Sequence, residues 1–214
     1  MLRVNNLAVQ RGATSIFRDV SLHVQQGERV ALHGPSGCGK TTLLFAIAGL
    51  VQTFAGTVEV AGQDITHVPT HQRGVGLVFQ DDQLFSHFDV ADNVSYALRV
   101  QSVSPRSRRN QADEWLERVG LSGFAQRSVQ SLSGGEAKRV ALARTLAATP
   151  RVVLLDEPLT GLDDHLRDHL LRDLCVLFDG LGTTVLHVTH DRTEGAALCG
   201  RSLEFASLST RLKT

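Results

Sequence analysis

The chain has 214 residues, enough for one sizeable core with a small subdomain but hardly for two full domains. Lysine plus arginine equal aspartate plus glutamate at 22 each, so no global field points to nucleic acid or an acidic membrane surface. No apolar run approaches the roughly 20 residues that span a bilayer. The start Met1-Leu2-Arg3-Val4-Asn5-Asn6 lacks a signal-peptide core, and Cys38, Cys175 and Cys199 form no CxxC pair. Reduced thiols in the cytosol are the expectation.

Leu2 to Val9 and Val20 to Val24 read as short strands separated by the turn-prone Arg11-Gly12. Gln26-Gly27-Glu28 then turns the chain into a strand from Arg29 to Leu32. That strand delivers Gly34-Pro35-Ser36-Gly37-Cys38-Gly39-Lys40-Thr41, and Thr42 to Ala48 is helical in pattern. Strand, glycine-rich loop and helix stand in the order a P-loop needs. Its glycines let successive amides turn toward one centre, while the helix start adds N–H groups and positive dipole, so polyphosphate is the implied guest. Lys40 can reach the β and γ phosphates, and the Thr41 hydroxyl is placed for a Mg²⁺ ion bridging them. Gly34 through Thr42 are therefore candidate nucleotide-binding residues.

Gly49 stops that helix, and Gly56 to Gly62 brackets an alternating strand. A second strand, Val75 to Phe79, ends at Gln80. Between Gln80 and Ser131 the texture shifts to longer polar helical segments, with Trp115, Leu116 and Val119 on one face of a helix ended by Gly120. Arg106, Arg108 and Arg109 read as a solvated helix start rather than a nucleic-acid patch. A helix from Ala137 to Ala148 is stopped by Pro150. The strand Val152 to Leu155, a helix from Leu162 to Phe178 striped by Leu166, Leu170, Leu174 and Leu177, and the strand Thr183 to Val188 follow. Apolar strands alternating with helices predict an α/β chain with a largely parallel sheet covered on both sides. Asp156-Glu157 leaves the Val152 strand at its C-terminal end, where open α/β sheets bind ligands. Beside a P-loop, Asp156 would hold Mg²⁺ through its shell and Glu157 would polarise the attacking water; otherwise two carboxylates merely leave a strand for solvent. His165 and His169 lie one helical turn apart, but with no third ligand in view they read as a solvated face.

Leu132-Ser133-Gly134-Gly135-Glu136, followed by Lys138-Arg139-Val140-Ala141-Leu142-Ala143-Arg144, narrows the choice. Here the chain resembles the ATP-binding cassette ATPases, and the resemblance runs from Val4 to about Phe205. It implies a P-loop NTPase core with a mostly parallel sheet, an N-terminal antiparallel β subdomain and an α-helical subdomain inserted at about 81–148 of a RecA-like core, all in one domain over 1–214. In that family the five-residue signature sits at a helix start and completes the phosphate site of a second, facing subunit. The Ser133 hydroxyl and the Gly134 and Gly135 amides are suitable donors. Gln80 matches the Q-loop glutamine that contacts Mg²⁺ and senses the transporter, Asp163 in Thr160-Gly161-Leu162-Asp163 takes the D-loop place, and His190 matches the switch histidine at the γ phosphate. Glu157, His190 and Gln80 are thus the expected catalytic residues, and Thr41, Gln80 and Asp156 the expected metal contacts. Three positions depart from the family pattern. Gln10-Arg11-Gly12 has no aromatic residue for adenine, so Arg11 either stacks its guanidinium there or is a solvated turn residue. Gly161 stands where a small non-glycine residue is commoner, and Glu136 where glutamine is.

Arg73 to Gln80, Leu84 to His87 and Val90 to Val94 resemble the import ATPases of bacteria that serve iron, thiamine, polyamine, sulfate or molybdate uptake. The implied setting is the cytoplasmic face of the inner membrane, peripherally bound, with ATP and Mg²⁺. The implied partners are a second ATPase subunit (the same chain or a related one), transmembrane permease subunits and a periplasmic or surface substrate-binding protein, without nucleic acid. Leu84, Phe85 and Phe88 either meet a helix of the membrane subunit or fill the subdomain core. Many such relatives carry a regulatory domain after the ATPase; from a length of 214 residues, regulation through such a domain is not expected. An exporter ATPase, or a soluble cassette protein acting on ribosomes or in DNA repair, is the alternative.

Overall fold

Leu2–Arg11 (β1) and Thr14–Val24 (β2) form an antiparallel hairpin around Gly12-Ala13 in the structure, a computed structural model that describes residues 1–208. Both strands run further than the sequence pattern predicts. The ladder continues through Gln10↔Ser15 and Arg11↔Thr14, polar pairs that no apolar alternation marks. Residues 209–214, counted by the sequence reading within the single domain, lie outside the described residues.

Arg29–His33 (β3) leads through the glycine-rich loop into Lys40–Ala48 (α1), followed by Ala55–Val60 (β4), Gln63–Asp64 (β5) and Val75–Val78 (β6). Three helices come next: Val90–Val94 (α2), Tyr96–Val100 (α3) and Pro105–Arg118 (α4). Gly134–Ala147 (α5) begins three residues ahead of the expected Ala137, because Ser133 caps it and the glycine pair is helical. Val152–Asp156 (β7), Asp164–Leu181 (α6) and Thr184–Val188 (β8) match the expected alternation. Arg192–Leu198 (α7), Arg201–Glu204 (β9) and Phe205–Leu208 (α8) complete the described chain and carry no apolar period long enough to read in advance.

Two compact units result. The first comprises residues 1–77, 151–157 and 181 onward. It holds a four-stranded sheet in the order β2-β1-β4-β5 and a five-stranded sheet in the order β6-β7-β8-β3-β9. In the five-stranded sheet β7 pairs with β8, β8 with β3 and β3 with β9, all parallel. Leu2, Val4, Leu7 and Val20 of the antiparallel sheet share one core with Val30, Leu32, Leu154 and Leu186 of the parallel one, joined by Leu43, Leu44 and Ile47 of α1. The second unit, Val78–Pro150 and Pro158–Gly180, is helical and contains α2 to α5 with most of α6. Among the described residues no helix is long and apolar enough to cross a membrane.

The C-terminus of α1 rests on a buried arginine. Arg73 is 8% exposed and donates through Nη1 to Ala46 O (3.1 Å) and Ile47 O (3.0 Å), through Nε to Val68 O (2.7 Å) and through Nη2 to Thr66 O (2.8 Å). Carbonyls that end a helix have no intrahelical partner, and a cation there also suits the helix dipole. The guanidinium stands over Gly49, where an added Cβ would lie 2.3 Å from Nε and where φ is 82°, so glycine is required twice over. Arg73→Met strands four carbonyls, and urea unfolding is expected to show a loss of about 3 kcal/mol or more. A loss under about 1 kcal/mol would mean that water replaces the guanidinium at little cost.

Candidate active site

Three strand ends lie in a row. Parallel register aligns Leu32 of β3 with Val188 of β8, and Val188 with Asp156 of β7. The chain leaves these positions as His33-Gly34, Thr189-His190 and Glu157, so the P-loop, His190 and the carboxylate pair emerge at one end of the parallel strands within the first unit.

Gly34 to Gly39 wraps the start of α1, and no side chain caps that helix start, so its first amides face the loop. Lys40 is 5% exposed and donates from Nζ to Gly34 O (2.8 Å) and Pro35 O (2.9 Å). An ammonium has three protons, so the same group that closes the loop can still meet an anion. Thr41 Oγ1 donates to Asp156 Oδ1 at 3.0 Å. Asp156 is buried, and burial pushes its carboxyl above the usual range; the Thr41 bond and Lys40 pull it down, while Glu157 pushes it up. The hydroxyl of the exposed Thr41 beside the buried Asp156 carboxylate forms an oxygen donor set suited to a small hard cation such as Mg²⁺.

Glu157 adopts φ 45°, a left-handed conformation that costs a non-glycine residue about 1–2 kcal/mol. Its N–H donates to Val188 O at 2.9 Å, which fixes the turn to the neighbouring strand. The carboxylate Oε2 then stands 3.1 Å from His190 Nδ1. Strain at a charged residue on a strand end is a feature of functional sites. The His190 ring is 62% exposed and the Glu157 side chain 19%, so the pair looks onto solvent from a held position.

Apart from Arg11, the remaining expected site residues belong to the second unit. Ser133 caps α5 in a reciprocal box: its Oγ accepts from Glu136 N (3.4 Å), and Glu136 Oε2 accepts from Ser133 N (2.7 Å). That backbone bond holds the Glu136 carboxyl below its ordinary range. Gly134 and Gly135 form the first turn of α5, with Leu132 just before the cap. Asp163 accepts from Leu166 N (3.0 Å) ahead of α6, and Gly161 has φ 81°, a conformation that accounts for glycine in place of a larger residue. Gln80 O accepts from Lys138 Nζ at 3.2 Å, and Arg144 donates to Gln83 O (2.8 Å) and Asp82 O (3.0 Å). Lys138 and Arg144 of α5 thus hold the backbone after β6. The sequence reading missed this role, because the contacts span about 60 residues and leave no local pattern. Arg11 ends β1 opposite Thr14, exposed at the hairpin tip. His169 stands 3.8 Å from Asp173, and among the described residues no three His, Cys, Asp or Glu side chains are grouped to hold a metal.

A P-loop leading from β3 of a parallel sheet into α1, with a carboxylate pair two strands away on β7, defines a P-loop NTPase core. The family model described as "ABC transporter" matches residues 17–160, and the chain belongs to that ATP-binding cassette family. It is 49% identical over 201 residues to the Fe(3+) ions import ATP-binding protein FbpC of Streptomyces coelicolor, covering 94% of this chain and 58% of that protein. It is 41% identical over 201 residues to the spermidine/putrescine import ATP-binding protein PotA of Spiroplasma citri, covering 94% of this chain and 57% of the relative. The chain therefore spans little more than half the length of these curated relatives. Among solved structures, a dimeric post-hydrolysis ATP-binding cassette bound to ADP and Pi superposes with TM-score 0.84 at 30% identity, covering 95% of this chain and 94% of that one.

The raised Asp156 carboxyl has a sign for stability. A folded-state pKa above the unfolded one means that folding takes up protons, so the contribution is fully present below the unfolded pKa and is lost as pH rises through the folded one. Asp156→Asn is therefore expected to raise the unfolding midpoint of the nucleotide-free protein at pH 7 while weakening its response to Mg²⁺, and the gain shrinks on acidification toward pH 4. Calorimetry across that range checks it; a variant less stable at pH 7 would show that the ionised carboxylate is already well compensated.

Proposed function

We propose that this chain is the ATP-hydrolysing subunit of a bacterial importer, bound to the cytoplasmic face of the membrane through permease subunits and served by a substrate-binding protein. ATP lays its phosphates in the loop from Gly34 to Thr42. Thr41, Asp156 and Gln80 would hold Mg²⁺, which supplies neutralising charge at the β and γ phosphates. Glu157 orients and polarises the attacking water, and His190 steadies that carboxylate while its second nitrogen faces the γ phosphate. Asp163 and the Ser133-Gly134-Gly135 corner act on the nucleotide of a second cassette subunit, so two chains enclose two ATP molecules. Support for two-chain assembly comes from the dimeric cassette that this fold matches.

The observation that carries the reading is the strained Glu157 held 3.1 Å from His190 beside the Thr41–Asp156 pair. For docking on the membrane subunit, the support is aromatic. Phe85 packs on Tyr96 at 4.6 Å and on Phe88 at 5.7 Å between ring centres, while Tyr96 and Val100 remain exposed. Phe85 and Phe88 so serve the subdomain core and a partner helix together, with Leu84 beside them. Ferric ion is the favoured cargo, from the names of the relatives in Streptomyces coelicolor and Streptomyces avermitilis. Adenine stacking on Arg11 rests on its exposed place at the hairpin tip.

Glu157→Gln keeps shape and removes the base. Steady-state phosphate release from the purified chain is expected to fall about 10²- to 10⁴-fold, and gel filtration with Mg-ATP to reveal a trapped dimer. A variant that hydrolyses at the normal rate would remove Glu157 from the mechanism.

A further inference from the structure

The core beneath His190 is unusually polar. α7 covers β3 and β9, and its own Glu194 (6% exposed) is buried with His33 (4%), His187 (0%) and Thr189 (1%). Buried polar groups cost free energy unless they are paired, so their pairing shows what the cluster holds. Thr189 Oγ1 donates to Glu194 Oε2 at 3.1 Å and accepts from Asp191 N at 3.0 Å. One hydroxyl thereby ties down the residues on both sides of His190. Asp191 in turn caps α7, accepting from Thr193 N (2.7 Å) and Glu194 N (3.2 Å). His33, the residue before the P-loop, sets Nδ1 3.2 Å from Thr189 O. Its ring fits because position 195 is glycine: a Cβ there would stand 2.6 Å from Cε1. Glu194 Oε1 also lies 2.8 Å from His187 Nε2, at ion-pair distance but without the alignment of a hydrogen bond. The directed link of the carboxylate is therefore the one to Thr189.

We infer that Thr189, clamped by the buried Glu194 and braced by His33, is a positioning residue that sets the switch histidine relative to Glu157. This inference rests on the role proposed for His190. The exposed His190 ring reaches Glu157 only if its backbone is held, and a displacement of about 1 Å at a reacting group costs up to about 10²-fold in rate. Because His33 opens into Gly34, the same cluster couples the backbone of the switch to the root of the phosphate loop.

Thr189→Val keeps the volume and removes the hydroxyl, and Thr189→Ser restores it. In the purified full chain with Mg-ATP, the valine variant is expected to lose about 10- to 100-fold in kcat, with affinity for a fluorescent ATP analogue within about 2-fold of wild type. The serine variant is expected to recover to within about 3-fold. A valine variant with wild-type kcat, a serine variant as slow as valine, or affinity falling in step with kcat would each overturn the positioning role. Should valine fold poorly, Glu194→Gln, which can still accept from Thr189, is compared with Glu194→Met, which cannot; equal rates overturn the inference. Glu157→Gln is run alongside. If it is slow while Thr189→Val is fast, only the positioning role falls; if wild type is no faster than Glu157→Gln, the proposed function falls with it.

Discussion

Parallel pairing without a slip between β7, β8 and β3 is the constraint on which the site depends. Side chains alternate faces along a strand, so a one-residue shift of β8 would exchange its two faces and turn Thr189 away from Glu194. It would also move Val188 O away from the N–H of Glu157, the bond that holds that residue at φ 45°. Register is secured because every residue of β7 and β8 is buried, which leaves neither strand a solvent face on which to slide. The chemistry at the edge inherits its alignment from packing several residues away.

That edge is also where the fold gives up stability. Asp156 is buried with a carboxyl raised by burial, and Glu157 is strained. For Asp156 the Thr41 hydroxyl and the attraction of Lys40 offset part of the cost of burial, while the Glu157 backbone is held by its bond to Val188 O. The opposite end of α1 shows the contrary arrangement: Arg73 satisfies four carbonyls and leaves no demand for a ligand. One helix therefore has an end finished by the protein and an end left for the phosphate.

How much of this could be read from the sequence follows from the range of each interaction. The P-loop, the strand ending in Asp156-Glu157 and the Gly49 stop are local patterns, and each stands where the pattern puts it. The hairpin runs beyond its apolar pattern because the pairs Gln10↔Ser15 and Arg11↔Thr14 are polar and are held by ladder bonds rather than apolar alternation. α5 starts ahead of its apolar pattern because the Ser133–Glu136 box fixes in helical form two glycines that by residue type suit a loop. α7 and β9 are short, and the packing of α7 and the pairing of β9 come from β3, far away in sequence. Arg73, Lys138, Arg144 and Glu194 look like surface charges in a neutral chain. Only the folded arrangement aims them at carbonyls or at a buried hydroxyl.

The Ser133–Glu136 box bears on the signature in a way the residue types alone do not suggest. By accepting from Ser133 N, Glu136 removes that amide from the donors a phosphate could use, leaving the serine hydroxyl and the glycine amides. Glu136 also sets a negative charge in the first turn of α5. A glutamine would close the box equally well without charge. The carboxylate stabilises the free helix through the dipole, yet it competes for that dipole with an arriving phosphate. A first turn built this way holds its shape firmly, and in the role proposed for the signature it would attract a γ phosphate less strongly and place more of the grip on the Ser133 hydroxyl.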